Sequence, residues 1–232
     1  MKPAILAVAA LAAITTSACA ITPAEMARPV ALQSASATPI TGIGGGERGS
    51  FAVGQNAGSF QRTATKLSFF DLLHMRDGAA NFSLTGADFR NGVQVDCTMR
   101  ERTLTIDVVE FKPGPMALGC DVRSGGMPMP AMLEIQEAAP DWTNRQQRRG
   151  AVIVDGSRLD IRSVHEIAGS PLPTSAPMGY VFERNGVAIG GVDLNNGPSV
   201  YEAAGASEAD RRAVLLAAVT LSVFWDPASL EI

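Results

Sequence analysis

Aromatic residues make up only 6% of this 232-residue chain, histidine occurs twice and cysteine three times. Each scarcity excludes something. His74 and His165 stand at no ligand spacing from a cysteine, so no zinc pattern is present. A Gly-x-Ser-x-Gly nucleophile elbow is absent. His165 is followed by Glu166, but neighbours on a strand point to opposite faces and make a poor base–orienter pair. Asp107, Glu110, Asp155 and Asp160 are scattered, with no spacing that pairs them for acid–base work. The glycine run at 42–46 lacks the preceding strand, the following helix and the Lys-Ser/Thr pair of a phosphate loop. The net charge is −4 without pervasive basic character, which argues against nucleic acid. These absences lead to an expectation of no catalytic residue, no cofactor and no metal.

The amino terminus reads as a targeting segment, set aside before any fold reasoning. Lys2 supplies the positive start, and residues 5–14 form an apolar stretch too short for a stable span. Thr16-Ser17-Ala18-Cys19 resembles the lipobox of bacterial lipoproteins, in which the cysteine is lipidated and becomes the first mature residue. Thr16 departs from that pattern, where Leu is usual. A cut after Ala20 is the alternative and would release a soluble periplasmic product. The lipidation reading, with Cys19 as the anchor and Ala20 after it, implies an outer-membrane lipoprotein facing the periplasm. Export leaves Cys97 and Cys120 in a compartment where disulfides persist. A bridge between them is expected to contribute about 3 kcal/mol; two buried thiols are the alternative.

Residues 20–49 are rich in Ala, Pro, Ser, Thr and Gly without periodicity and read as a flexible tether. From residue 50 onward, short alternating or β-branched segments are punctuated by turn residues, the pattern of a mainly β domain. Strands are expected at 51–53, 59–67, 81–84, 93–98, 104–111, 117–122, 132–137, 151–154, 159–163, 179–183, 187–194 and 199–202. Residues 69–75 read as a short helix or turn. Asp155-Gly156 is a strong hairpin signal, and Arg184-Asn185-Gly186 marks another. The expected division is a leader at 1–19, a linker at 20–49 and one domain at 50–232.

Residues 212–225 (RAVLLAAVTLSVFW) are apolar on every side, with Thr220 and Ser222 the interruptions. A helix greasy all round must be surrounded, and about 13 residues is too short to span a bilayer. Ser207 can cap it, with Asp210 at the third helical position and Glu208 beside the positive end of the dipole. Arg211 and Arg212 are expected at a rim, within reach of water, and Asp226-Pro227 stops the helix. The wrapper for such a helix is a closed sheet.

The strand Gly179-Tyr180-Val181-Phe182-Glu183, a turn, a second strand to Asp193, a third strand, and the capped apolar helix follow in order. This order resembles the carboxy-terminal part of the tubby-like superfamily, which includes LURP-one-related proteins and phospholipid scramblases. The resemblance covers about the last 80 residues and rests on burial pattern, not on a diagnostic motif. It implies a closed antiparallel barrel of about twelve strands, with no open edge, threaded by its terminal helix. Tubby domains bind phosphoinositide head groups through basic residues on the barrel wall. No Lys/Arg pair of this chain matches that site, so no binding residue carries over.

Two local features remain. Arg145, Arg148 and Arg149 form a basic cluster read as a solvated loop, with a lipid-phosphate or anion contact as the alternative. Met127, Met129 and Met132, with Met116 upstream, suggest a core filler, an apolar rim or, through soft thioethers, a Cu(I) site. The functional expectation is a non-catalytic cell-envelope protein, membrane-attached through Cys19, that binds a lipid, another apolar ligand or a protein partner. A scaffold of an envelope complex is the alternative, and a hydrolase the third.

Overall fold

The computed structural model describes residues 23–69, 72–106, 109–138 and 145–226. Twelve antiparallel strands close into a barrel: β1 Thr38–Thr41, β2 Arg48–Val53, β3 Asn56–Phe69, β4 Leu73–Gly86, β5 Val93–Ile106 and β6 Val109–Ser124. They continue with β7 Met127–Glu137, β8 Arg148–Val154, β9 Ser157–Val164, β10 Gly179–Arg184, β11 Val187–Asp193 and β12 Ser199–Glu202. Every strand pairs with its sequence neighbour, and β1 closes the ring on β12 through Thr38 opposite Val200. The helix α1, Glu208–Val223, lies inside. The mainly β fold with one buried terminal helix is therefore as the sequence implied.

The helix is buried on all sides from Ala213 to Val223 and meets the inward faces of β8, β9, β11 and β12. Its two polar residues are satisfied within the helix: Thr220 donates to the Leu216 carbonyl at 2.8 Å and Ser222 to the Ala218 carbonyl at 2.7 Å. Closest approach to β11 falls at Gly190, where a Cβ would stand 2.6 Å from both methyls of Val214. Only a residue without a side chain lets the helix sit there.

Ser207 caps the helix, accepting from the Asp210 amide at 3.1 Å. The Asp210 carboxylate accepts from Ser157 Oγ at 2.7 Å and from Arg184. Burial works against its charge, but these bonds and the Ser207 hydroxyl outweigh it and hold the carboxyl below its ordinary pKa. Arg212 reaches the rim, pairing with Asp155 at 2.7 Å while lying over Phe89.

Two hairpins have the expected tight turns. Asp155-Gly156 and Asn185-Gly186 take positive φ at both central residues, the mirror-image geometry that matches strand twist. Cys97 and Cys120 are directly opposed on β5 and β6 and are joined by a disulfide facing the core.

Two expectations are corrected and a third is narrowed. The segment read as a tether is part of the fold from residue 24 onward. It supplies β1, and Met26 and Leu32 are buried against Val164, Met178, Val181 and Ala188 on the outside of the barrel. The glycine run is a turn whose Gly44 and Gly46 carbonyls accept from Arg62. Composition misled because β1 is four residues long and its pairing partners on β12 are remote in sequence. Second, residues 104–111 are not one strand. Leu104 pairs with Phe111 across a hairpin whose tip, 107–108, lies outside the described residues. Third, of residues 69–75, read as a short helix or turn, the turn holds: Phe69 ends β3, Leu72 lies in the hairpin turn and residues 73–75 open β4, with 70–71 outside the described residues. Residues 1–22, with Cys19, lie outside the described part.

Candidate functional site

Strand length creates the site. The 16-residue helix is about 24 Å long, and strands β8 to β11, of six to eight residues or about 20–27 Å, match it. Strands β3 to β6 run for 14 to 16 residues, about 48 Å or more. Their hairpins therefore project past the carboxy-terminal end of the helix as a free-standing wall.

Along that wall the inward face changes character. On β5 the inward positions run Val93, Val95, Cys97 and Met99 beside the core, then Glu101, Thr103 and Thr105 beyond it. On β4, Phe82 and Ala80 give way to Arg76 and His74, and on β3 Phe60 gives way to Arg62 and Lys66. With Lys112 of β6 and Arg148 of β8 they enclose a chamber of about 320 Å³ over the end of the helix. The charged residues lining it are four cations (Lys66, Arg76, Lys112, Arg148) and one carboxylate, Glu101.

The floor of the chamber is held by two arginines. Arg62 is buried, donates to the last helical carbonyl, that of Val223, at 3.0 Å, and stacks on Trp225 at 4.2 Å. Burial lowers its pKa from the ordinary value. Arg148 forks onto Asp226 at 3.2 and 3.0 Å, and Tyr180 donates to the same carboxylate at 3.4 Å. Burial disfavours the Arg148 charge, yet the Asp226 carboxylate outweighs that and raises its pKa. Tyr180 is pushed well above the usual phenol by burial and the same carboxylate.

Higher on the wall, Arg76 pairs with Glu101 at 3.4 Å, Lys112 with Glu137 at 2.6 Å, and His74 Nδ1 lies 2.9 Å from Ser68 Oγ. Two buried atoms of lining residues have no partner among the described residues: Glu101 Oε2 and Arg148 Nη1.

The outward face of the same wall is reversed in turn. Leu73, Leu104 and Phe111 form one cross-strand row, and Leu67 faces Met75 one step below. Leu67 and Phe111 are about half exposed, as is Leu72 at the β3–β4 tip. Arg102 continues the Leu67–Met75 row and pairs with Asp77 at 2.9 Å, so at that level the apolar band is confined to β3 and β4.

The residues singled out from sequence are scattered around this architecture. His74 lines the chamber. His165 does not: it is buried near the β9–β10 connection, with Nε2 3.1 Å from Ser163 Oγ and Nδ1 3.1 Å from the Thr174 carbonyl. Nδ1 therefore carries the proton, and Ser163 donates to Nε2 while accepting the Arg148 amide. Burial pulls the His165 pKa below the ordinary value and keeps the ring neutral. This Ser–His contact is a closed structural relay. Asp155 serves the helix rim, and Asp160 pairs with Arg158 at 3.3 Å on the surface. Asp107 and the side chain of Glu110 lie outside the described residues.

The arginine cluster is not a solvated loop as a whole. Arg148 opens β8 and points inward, 2% exposed, while Arg149 points out and Arg145 pairs with Glu166 at 3.0 Å. The methionines do not converge: Met116 is in the core, Met129 packs at its edge and Met127 is 71% exposed. Pro128 and Pro130 leave the first half of β7 unpaired with β8, which joins only at Met132. Sequence reading missed Lys66, Arg76, Glu101, Lys112 and Arg148 as one set. The available signal was the phase of β5, where charge replaces apolar residues on an unbroken inward face.

Among the described residues, no helix is long and apolar enough to cross a membrane. Compared with family models, curated proteins and solved structures, the chain has no match.

Proposed function

We propose that this is a non-catalytic lipoprotein of a bacterial cell envelope, anchored through Cys19, that sets the open end of its barrel against a membrane surface. A single observation carries the reading: beyond the helix, the β3–β6 wall is apolar outside and polar inside. Water-facing sheets have no reason to present an outward row of half-buried Leu73 and Leu104 with exposed Phe111. Barrels that touch lipid show this inverted alternation, because the outer face meets hydrocarbon and the inner face meets water. An apolar ligand has no room in the helix-filled lumen, so the exposed apolar band is where lipid is met.

Two further observations support the orientation. Residues 24–26 are fastened at the same end of the barrel, Met26 by the Asp193 carboxylate at 2.7 Å and by pairing with Ile167. A lipid tether leaving from there holds the hairpin tips towards the bilayer. The disulfide suits an oxidising compartment. Kinship with the tubby-like group is part of the proposal, supported by the helix-threaded twelve-strand barrel.

The test is flotation of Cys19→Ala protein with phosphatidylethanolamine–phosphatidylglycerol vesicles. The wild-type surface binds, and Leu73→Asp with Phe111→Asp abolishes binding without lowering the melting temperature. Vesicle binding unaffected by both aspartates would refute the orientation. Capture of one stoichiometric protein partner by the same band, with no vesicle binding, would favour the scaffold reading.

A further inference from the structure

The chamber inside the wall has the composition of a ligand site, and this inference deepens the proposed binding role of the open end without depending on membrane contact. The geometry points to a site for a small phosphate ester that also carries a hydroxyl or ammonium group.

The argument runs from unmet valences. Glu101 sits on β5 with its side chain 5% exposed; Oε1 takes Arg76, and Oε2 is buried without a donor among the described residues. Arg148 is 2% exposed; Nε and Nη2 are used by Asp226, and Nη1 is buried without an acceptor among them. Buried groups of this kind are ordinarily paired, and leaving them so is costly. One needs a donor and the other an acceptor, so a simple cation satisfies neither both together nor the surrounding charge. Lys66 lines the same space and has no ion pair among the described residues.

The cations fix the class of the anion. Lys66 and Arg76 stand side by side on β3 and β4, with Lys112 of β6 and Arg148 of β8 lining the same space; four cations around one carboxylate suit a doubly charged phosphate better than a singly charged carboxylate. Glu101 then selects a ligand that brings a donor beside its phosphate. A chamber of about 320 Å³ is at the small end of ligand pockets and admits a molecule of the size of glycerol 3-phosphate. Thr103 and Thr105 add hydroxyls that can turn either way.

Such a group could come from a phospholipid head group or from a free ester, and one set of measurements separates them. In NMR titrations of the full chain with Cys19→Ala, glycerol 3-phosphate shifts amides around Lys66, His74 and Glu101. It binds at least about fivefold more tightly than methyl phosphate, which lacks the hydroxyl. Lys66→Met, an exposed substitution that leaves the fold intact, weakens both esters about tenfold. Glu101→Gln removes the preference between them. If a head group is the natural occupant, saturating glycerol 3-phosphate releases the protein from phosphatidylglycerol vesicles. If a free ester is, vesicle binding is unchanged while the titration still saturates; both outcomes support the site. No shift with either ester at about 20 mM, or equal binding by Lys66→Met, overturns it. Vesicle binding lost only with Leu73→Asp and Phe111→Asp, with no ester binding, would sink this inference and leave the membrane reading standing. Ester binding without vesicle binding would do the reverse.

Discussion

Replacing Arg62 with methionine tests how the helix end and the chamber floor are built. Arg62 is 3% exposed and meets no carboxylate among the described residues; it is held by carbonyls and the Trp225 ring. Methionine fills similar space but strands the buried Val223 carbonyl, a loss of about 1–3 kcal/mol. A cation at the negative end of the helix dipole adds up to about 2 kcal/mol in buried geometry, and the stack on Trp225 about 0.5–2 kcal/mol. Against these stands relief of the desolvation that lowers the Arg62 pKa. The exposed carbonyls of Gly44 and Gly46 turn to water at little cost. The net expectation is a loss of about 3 kcal/mol, a fall in melting temperature of about 6–12 °C for a domain of this size. Urea titration followed by circular dichroism measures the first, and a thermal scan the second. Arg62→Lys recovers less than half, because an ammonium cannot stack on the indole and bridge Val223 to the 44–46 turn at once. An Arg62→Met protein within about 1 kcal/mol of wild type would show that the helix end is held by packing alone.

Other perturbations have equally definite outcomes. Reducing the Cys97–Cys120 bridge, or replacing both by alanine, lowers stability by about 3 kcal/mol through loop-closure entropy, read from urea midpoints with and without reductant. Gly190→Val drives a side chain into Val214 and yields protein without a cooperative thermal transition; Gly186→Ala at an exposed turn costs far less. Leu216→Ala opens a cavity in the helix–barrel core and costs about 2–5 kcal/mol by denaturant titration. The pH dependence follows from His165. Its folded pKa lies below the unfolded one because of burial, so the unfolded chain takes up the proton first as pH falls. The stability it contributes is complete above the ordinary histidine pKa and is lost as pH falls through it towards the folded value. His165→Asn flattens that part of the stability–pH curve, and an unchanged slope would refute the neutral buried assignment.

What could be read in the sequence was whatever local chemistry forces. An apolar stretch too short for a bilayer had to be wrapped, and the wrapper had to be the strands that precede it. Asp155-Gly156 and Asn185-Gly186 specify two-residue turns because their backbones tolerate positive φ. Ser207 announces a helix start by the bond it can make. Two cysteines in strand-like sequence were expected to pair, and Cys97 and Cys120 are joined.

Tertiary structure alone decided the rest, because it depends on what stands opposite a residue. Nothing local in residues 38–41 says they pair with β12, some 160 positions away, so a strand looked like a tether. The β5–β6 tip carries no Gly, Pro or Asn to mark it, and one hairpin over residues 93–124 read as separate pieces. Alternation along β5 specifies which residues share a face; whether that face meets the helix or open space depends on where the helix ends. Val95 and Glu101 point the same way, and only the length of α1 makes one a core residue and the other part of a chamber. Arg148 is the same case on β8: inward by its place in the register, charged by its type, and tolerable there because Asp226 arrives from the far end of the chain.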